Sequence, residues 1–253
     1  MDLYLKFDYP LQEDELNQCR ELVKRRGIGE PVSFILKEKG FYKDVFYVDN
    51  RVLVPRPETE LIVEYVVEQM ANRSSDSLLI GDLGTGSGCL GLSLLREFHN
   101  GKLLAVDISS DALAVARINA KRLSLLERVS WVHEDVGKVL KVQLPSNYRE
   151  GFDVIVANPP YIDEQSNDYD PMIKIFEPKE ALFAEEQGRK QLKIWARKAA
   201  DLLKPGGLFC MEIGYDQGEY IIDFLEQERC FLDIDLRKDY AGLDRFVRGI
   251  KGK

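Results

Sequence analysis

The sequence predicts an α/β fold: a mostly parallel sheet covered by helices on both faces, its last strand antiparallel, preceded by a small N-terminal helix-plus-hairpin element. Three observations predict it. Strand-like and helix-like segments alternate from about residue 77 onward, the pattern of parallel strands joined by crossover helices. The first of these strands runs straight into the glycine turn LGTGSG and a helix. The last two strand-like segments, FLDIDLRKD (231–239) and RFVRGI (245–250), are joined by only a few residues, whereas a parallel crossover needs roughly a dozen, so they should pair antiparallel.

In chain order, the start MDLYLKFDYPLQEDEL is acidic and lacks the basic and apolar regions of a secretory signal, and no later stretch approaches membrane-spanning length. A cytoplasmic protein without membrane contact is expected. Between Leu11 and Arg26, Leu16, Cys19, Leu22 and Val23 fall at helical spacing, with Glu13 and Asp14 in the first turn and Lys24, Arg25 and Arg26 in the last, before Gly27. The basic triplet reads as a complement to the helix dipole or as a partner contact. FYKDVFYVDNRVLV (41–54), rich in aromatic and β-branched residues and broken at Lys43-Asp44 and Asp49-Asn50, predicts a hairpin. PRPETELIVEYVVEQMANR (55–73) predicts a helix with Leu61, Ile62, Tyr65, Val66 and Met70 on one face.

Strands are then expected at 77–82, 102–107, 128–133, 152–157 and 207–213, and helices at 88–98, 110–123, 188–203 and 217–227. The domain reading is a small recognition element at 1–57 and a main domain at 58–253. The polar stretch 162–187 is too long for a simple connector and is a candidate substrate lid.

Composition narrows the function. The 253 residues are 45% hydrophobic and 31% charged, enough to bury a full core. Cys19, Cys89, Cys210 and Cys230 lack CxxC spacing, and His99 and His133 share no ligand spacing, so neither a disulfide framework nor a metal site is expected. A net charge of −8 disfavours a phosphate-gripping protein, and the stretch after Ile162 carries Asp163, Glu164, Asp168, Asp170, Glu177, Glu180, Glu185 and Glu186 against Lys174 and Lys179. Stable nucleic acid binding is not expected.

In LLIGDLGTGSGCLGLSLL (78–95), Gly84, Gly86 and Gly88, with Thr85 and Ser87 between them, allow a tight turn and close approach of the backbone to a ligand at a helix N-terminus. The pattern is G-x-G-x-G, a departure from the G-x-G-x-x-G of dinucleotide sites. Asp107, followed by Ile108, ends the next strand where a carboxylate could take both hydroxyls of a ribose, or cap the following helix. One strand further, Asp135 could accept from an adenine amino group, with Val136 beside it.

This series resembles class I S-adenosylmethionine-dependent methyltransferases, whose Rossmann-like sheet has seven strands with the last reversed. The resemblance implies S-adenosyl-L-methionine as cofactor. Asp82, just before the glycines, could then reach the cofactor's amino acid portion or stiffen the turn.

DVIVANPPYI (153–162) is a hydrophobic strand followed by Asn158-Pro159-Pro160-Tyr161. A planar NH2 group is a poor methyl acceptor because its lone pair is delocalised. The Asn158 side-chain oxygen and the Pro159 carbonyl could hold both hydrogens and aim the lone pair at a sulfonium methyl, while the two prolines lock the backbone and Tyr161 packs over the planar group. Positioning for in-line displacement then needs no metal or nucleophile.

The tetrapeptide is shared by glutamine and adenine-amino methyltransferases. GEPVSFILKEKGFY (29–42), VLVPRPETELIVE (52–64), GDLGTGSG (81–88), NPPYI (158–162), FEPKEALFA (176–184), LLKPGG (202–207) and GLDRFV (242–247) together resemble the release factor glutamine methyltransferase family across nearly the whole chain. That implies methylation of a glutamine side-chain amide in a peptide chain release factor, the protein partner; a monomer is expected. It also implies cofactor contacts from Gly84 to Gly88, Asp107, Asp135 and Val136, although Val136 departs from the aromatic residue expected there. The family usually carries a bundle of several helices before the GEP segment, where one helix is legible here. Alternatives are methylation of a ribosomal protein glutamine, adenine-amino methylation of DNA or RNA, and a non-catalytic cofactor-binding module.

Overall fold

The computed structural model describes residues 10–166 and 169–253. The acidic opening up to Tyr9, and Asp168 of the acidic stretch, lie outside the described residues.

The chain begins with α1 (Glu13–Gly27) and α2 (Val32–Leu36), then a two-stranded antiparallel hairpin of β1 (Lys39–Phe41) and β2 (Asp44–Phe46). A 3-10 turn at Pro57–Thr59 leads into α3 (Glu60–Gln69). The main run follows as β3 (Leu79–Leu83), α4 (Cys89–Glu97), β4 (Lys102–Asp107), α5 (Ser110–Arg122), β5 (Val129–His133) and β6 (Phe152–Ala157). It ends with α6 (Ile173–Phe176), α7 (Lys190–Leu202), β7 (Leu203–Glu212), α8 (Gly218–Glu228), β8 (Phe231–Lys238) and β9 (Asp244–Lys251).

Seven strands form one sheet in the order β5-β4-β3-β6-β7-β9-β8. The pairs from β5 to β7 are parallel, and β9 runs antiparallel to both β7 and β8, so the last strand is the reversed one. Successive residues of β6 face opposite sides. Val154 and Val156 pack with Ile62, Val66, Leu92 and Leu95 of α3 and α4, whereas Ile155 and Ala157 pack with Trp195, Ala199, Ile221 and Leu225 of α7 and α8. A strand covered on both faces needs an unbroken apolar run, which is why FDVIVA reads as it does.

The N-terminal region differs from expectation in two ways. The hairpin was expected over 41–54, but pairing stops at Phe46. Beyond it, Val48, Val52 and Val54 pack on Ala112 and Val115 of α5, and side chains supply the hydrogen bonds that a partner strand would give. Asn119 Oδ1 accepts from the Tyr47 amide (2.7 Å), and Glu177 Oε2 accepts from the Val54 amide (2.9 Å). Aromatic and β-branched residues favour extended backbone, paired or not, so composition cannot separate the two cases. Second, α1 forms with the expected charges at its ends, yet none of its residues is buried, and Val23 is 71% exposed. The hairpin, in contrast, contributes Phe41 and Phe46 to the core beneath α3 and α4.

Candidate active site

In an open α/β sheet, ligands bind beyond the carboxyl ends of the strands where the chain switches direction. Here β3 has β4 on one side and β6 on the other, and a cavity of about 330 Å³ opens at that switch. Its wall brings together segments from five places in the chain: Arg51 to Thr59, the glycine turn, Asp107 and Ile108, Asp135 and Val136, and Asn158 with Pro160. The long loop adds Pro178, Glu180 and Phe183, and α7 adds Trp195.

The glycine turn is held by its own backbone. Gly84 and Thr85 both donate to the Val106 carbonyl (2.9 Å each), which folds the turn over the end of β4. Gly84 has φ +73°, and a Cβ there would stand 2.2 Å from the Trp195 ring, so neither the conformation nor the space suits another residue. Gly88 lies off the cavity wall as the residue preceding α4.

Two carboxylates brace this turn. Asp82 is buried, and its Oδ2 accepts from the Thr85 hydroxyl (2.7 Å) and the Gly91 amide (3.1 Å). Burial pushes its carboxyl up to about 6 against the pull of those donors. Asp107 accepts from the Gly86 amide (2.8 Å) and the Ser109 amide (2.9 Å), and burial raises it as well. It is not the cap of α5, because Ser109 takes that role by accepting from Ala112. Each Asp107 oxygen keeps a second lone pair for a hydroxyl donor. Asp135 Oδ1 accepts from the Gly137 amide (2.9 Å) at the rim, and Val136 is a buried apolar wall beside it.

The tetrapeptide is split by the fold. Asn158 and Pro160 reach the cavity wall, while Pro159 is buried and Tyr161 turns away from the wall. The Tyr161 hydroxyl donates to Glu212 Oε1 (2.9 Å), and its carbonyl accepts from Gln217 Nε2 (2.9 Å). Gly188 approaches that same carbonyl so closely that a Cβ would lie 1.9 Å from it. Asn158 Nδ2 points to Thr59 Oγ1 (3.4 Å), and the Thr59 hydroxyl donates to Glu212 Oε2.

Thr59, Glu212 and Gln217 escaped the sequence reading. Thr59 sits within the conspicuous segment VPRPETE, so position alone could have flagged it; Glu212, ending an apolar strand, was a weaker signal. Glu212 is buried, and desolvation raises its carboxyl above the ordinary range, opposed by Thr59, Tyr161 and the charge of Arg245. Burial and the nearby Glu212 charge together hold the Tyr161 hydroxyl well above the usual tyrosine range.

The long loop is tied down from the other side. Glu177 is buried and accepts from the Val54 amide (2.9 Å) and Arg56 (2.7 Å), fastening 162–187 to the VPRPETE segment. Of the described acids expected to repel phosphates, four are ion-paired: Glu164 with Lys174, Glu185 with Lys190, Glu186 with Lys193 and Glu177 with Arg56. Among the described residues, no helix is long and apolar enough to cross a membrane.

Comparison with known proteins places this geometry. Residues 59–190 match the family described as "Methyltransferase small domain". A release factor glutamine methyltransferase from Chlorobaculum tepidum is 37% identical over 249 residues, covering 97% of this chain and 83% of the relative. Another, from Caulobacter vibrioides, is 38% identical over 242 residues, covering 95% and 80%. Among solved structures, the N-terminal domain of human METTL16 in complex with SAH superposes with a TM-score of 0.59 at 15% identity, covering 81% of this chain and 74% of that one. The ribosomal protein L11 methylase from Lactobacillus delbrueckii subsp. bulgaricus gives 0.53 at 19%, covering 79% and 81%. These two likenesses show the fold.

Proposed function

Because the chain belongs to the release factor glutamine methyltransferase family, we propose that it transfers a methyl group from S-adenosylmethionine to the side-chain amide nitrogen of a glutamine in a peptide chain release factor. The observation that carries this reading is Asn158 on the wall of the same cavity as the glycine turn, its Nδ2 engaged by Thr59. That leaves Oδ1 as the group offered to a ligand.

The donor set fits the cofactor. The α-carbon of Gly86 faces open space, two carboxylates at successive strand ends suit hydroxyl and amino donors, and Val136 offers an apolar face. S-adenosylmethionine, when bound, supplies a methyl carbon made electrophilic by its sulfonium.

In the proposed reaction the chain's own groups do the positioning. The substrate amide donates one hydrogen to Asn158 Oδ1 and the other to the Pro159 carbonyl. Held this way, the nitrogen lone pair is directed out of conjugation, along the line of displacement. So held, the nitrogen would take the methyl group as its bond to the cofactor's sulfur is given up, and would then shed one proton to solvent. Pro159 and Pro160 fix φ, so the backbone acceptor is set before the substrate arrives.

The described part of residues 1–57 is proposed as the substrate-recognition element, and the rest as the methyltransferase domain. The exposed α1, with Leu16 and Val23 uncovered, supports that division. Action as a monomer in the cytoplasm belongs to the same proposal. The test is incubation of the full chain with labelled cofactor and purified release factor, ribosomal protein or DNA, followed by mapping of the label. Label on a release factor glutamine is expected; label only on the ribosomal protein or DNA overturns the substrate assignment. Asn158→Ala should abolish turnover while cofactor binding persists, and equal loss of both would count against its role.

A further inference from the structure

We propose that Thr59 and Glu212 are positioning residues that fix the side-chain amide of Asn158 with its oxygen toward the cavity, an inference that rests on the function proposed above. The two ends of an asparagine amide are alike in shape, so packing alone hardly selects between them, and the final torsion is broad and roughly two-fold. Selection therefore needs a hydrogen-bonding partner of one kind only. A substrate NH2 brings two donors. If Asn158 turned its own NH2 to the cavity, donors would face donors and the substrate amide would be repelled.

The buried network removes that ambiguity by counting protons. Ionised Glu212 only accepts, and both of its oxygens are taken, Oε1 by the Tyr161 hydroxyl and Oε2 by the Thr59 hydroxyl. Thr59 has spent its single proton on Glu212, so toward Asn158 its oxygen only accepts. The group that meets it must be the Asn158 NH2, which leaves Oδ1 facing the cavity. Thr59 is 2% exposed and Glu212 1%, so water cannot substitute for either partner. Arg245, from the GLDRFV segment, contributes positive charge near Glu212 and is itself anchored on Asp239 (2.9 Å). Segments that stood out in the sequence but lie far from each other along the chain thus converge behind one amide.

The test compares Thr59→Val, Thr59→Ser and Glu212→Gln in the full chain, measuring cofactor Kd, kcat, and KM for the release factor. Thr59→Val keeps shape but strands the Asn158 NH2 without an acceptor. Glu212→Gln, in one of its orientations, donates to Thr59 and reverses the run of protons. A fall in kcat of at least tenfold is expected for both, with KM within about threefold and cofactor Kd within twofold, while Thr59→Ser regains most of the rate. The inference is overturned if Thr59→Val turns over within twofold of the unmodified chain, if kcat and cofactor affinity fall together, or if Thr59→Ser is as slow as Thr59→Val. Failure of the unmodified chain to methylate a release factor glutamine would instead defeat the functional reading beneath it.

Discussion

Asp82 supplies a prediction whose size follows from its surroundings. The side chain is buried at the foot of the glycine turn, and burial raises its carboxyl from 3.8 to about 6. Because the folded state holds this proton more tightly than the unfolded chain, the ionised form is a native-state cost. That cost is absent well below pH 4, grows as pH rises, and is complete above about pH 6. At 1.36 kcal/mol per pH unit, the full cost is about 3 kcal/mol, and about 2 kcal/mol of it develops between pH 4.5 and 7.5. Asp82→Asn removes the ionisation but keeps an acceptor for Thr85 and Gly91. Its stability relative to the unmodified chain should therefore rise by about 2 kcal/mol across that interval, whatever its value at pH 4.5. Urea unfolding of both proteins at several pH values measures the difference directly. A difference that stays flat with pH would refute the reasoning. Asp82 also lines the cavity, so on the function proposed above cofactor affinity of the variant should fall even as stability rises.

Two further outcomes are expected. Gly84→Ala forces a left-handed backbone on a residue with a Cβ and drives it toward the Trp195 ring, so it should lose about 1–3 kcal/mol in urea unfolding together with cofactor affinity. Glu177→Ala strands the Val54 amide and Arg56, costing about 2–4 kcal/mol, and limited proteolysis should then cut within 162–187 before the rest of the chain.

Much of the architecture was legible along the chain. The glycine turn between β3 and α4, the acid ending β4 and the apolar run of β6 each announce themselves locally, through turn chemistry and periodicity within a few residues. The short connection between β8 and β9 sufficed for the reversed strand. Extended segments were harder: 47–54 looked like a paired strand, but the amides at its two ends, Tyr47 and Val54, are met by Asn119 and Glu177. The apolar residues of α1 fall at helical spacing, which was enough to predict the helix, but the fold leaves none of them buried.

What the amino-acid order determined by itself was the sheet, its polarity and the placing of chemically apt residues at strand ends, because these depend on short-range spacing. What only the tertiary structure decided was how those residues face. Asn158 meets Thr59 across 99 positions, and Thr59 meets Glu212 across 153. The directions of hydrogen bonds in a buried network depend on which donors and acceptors folding happens to bring together, and no local pattern encodes that.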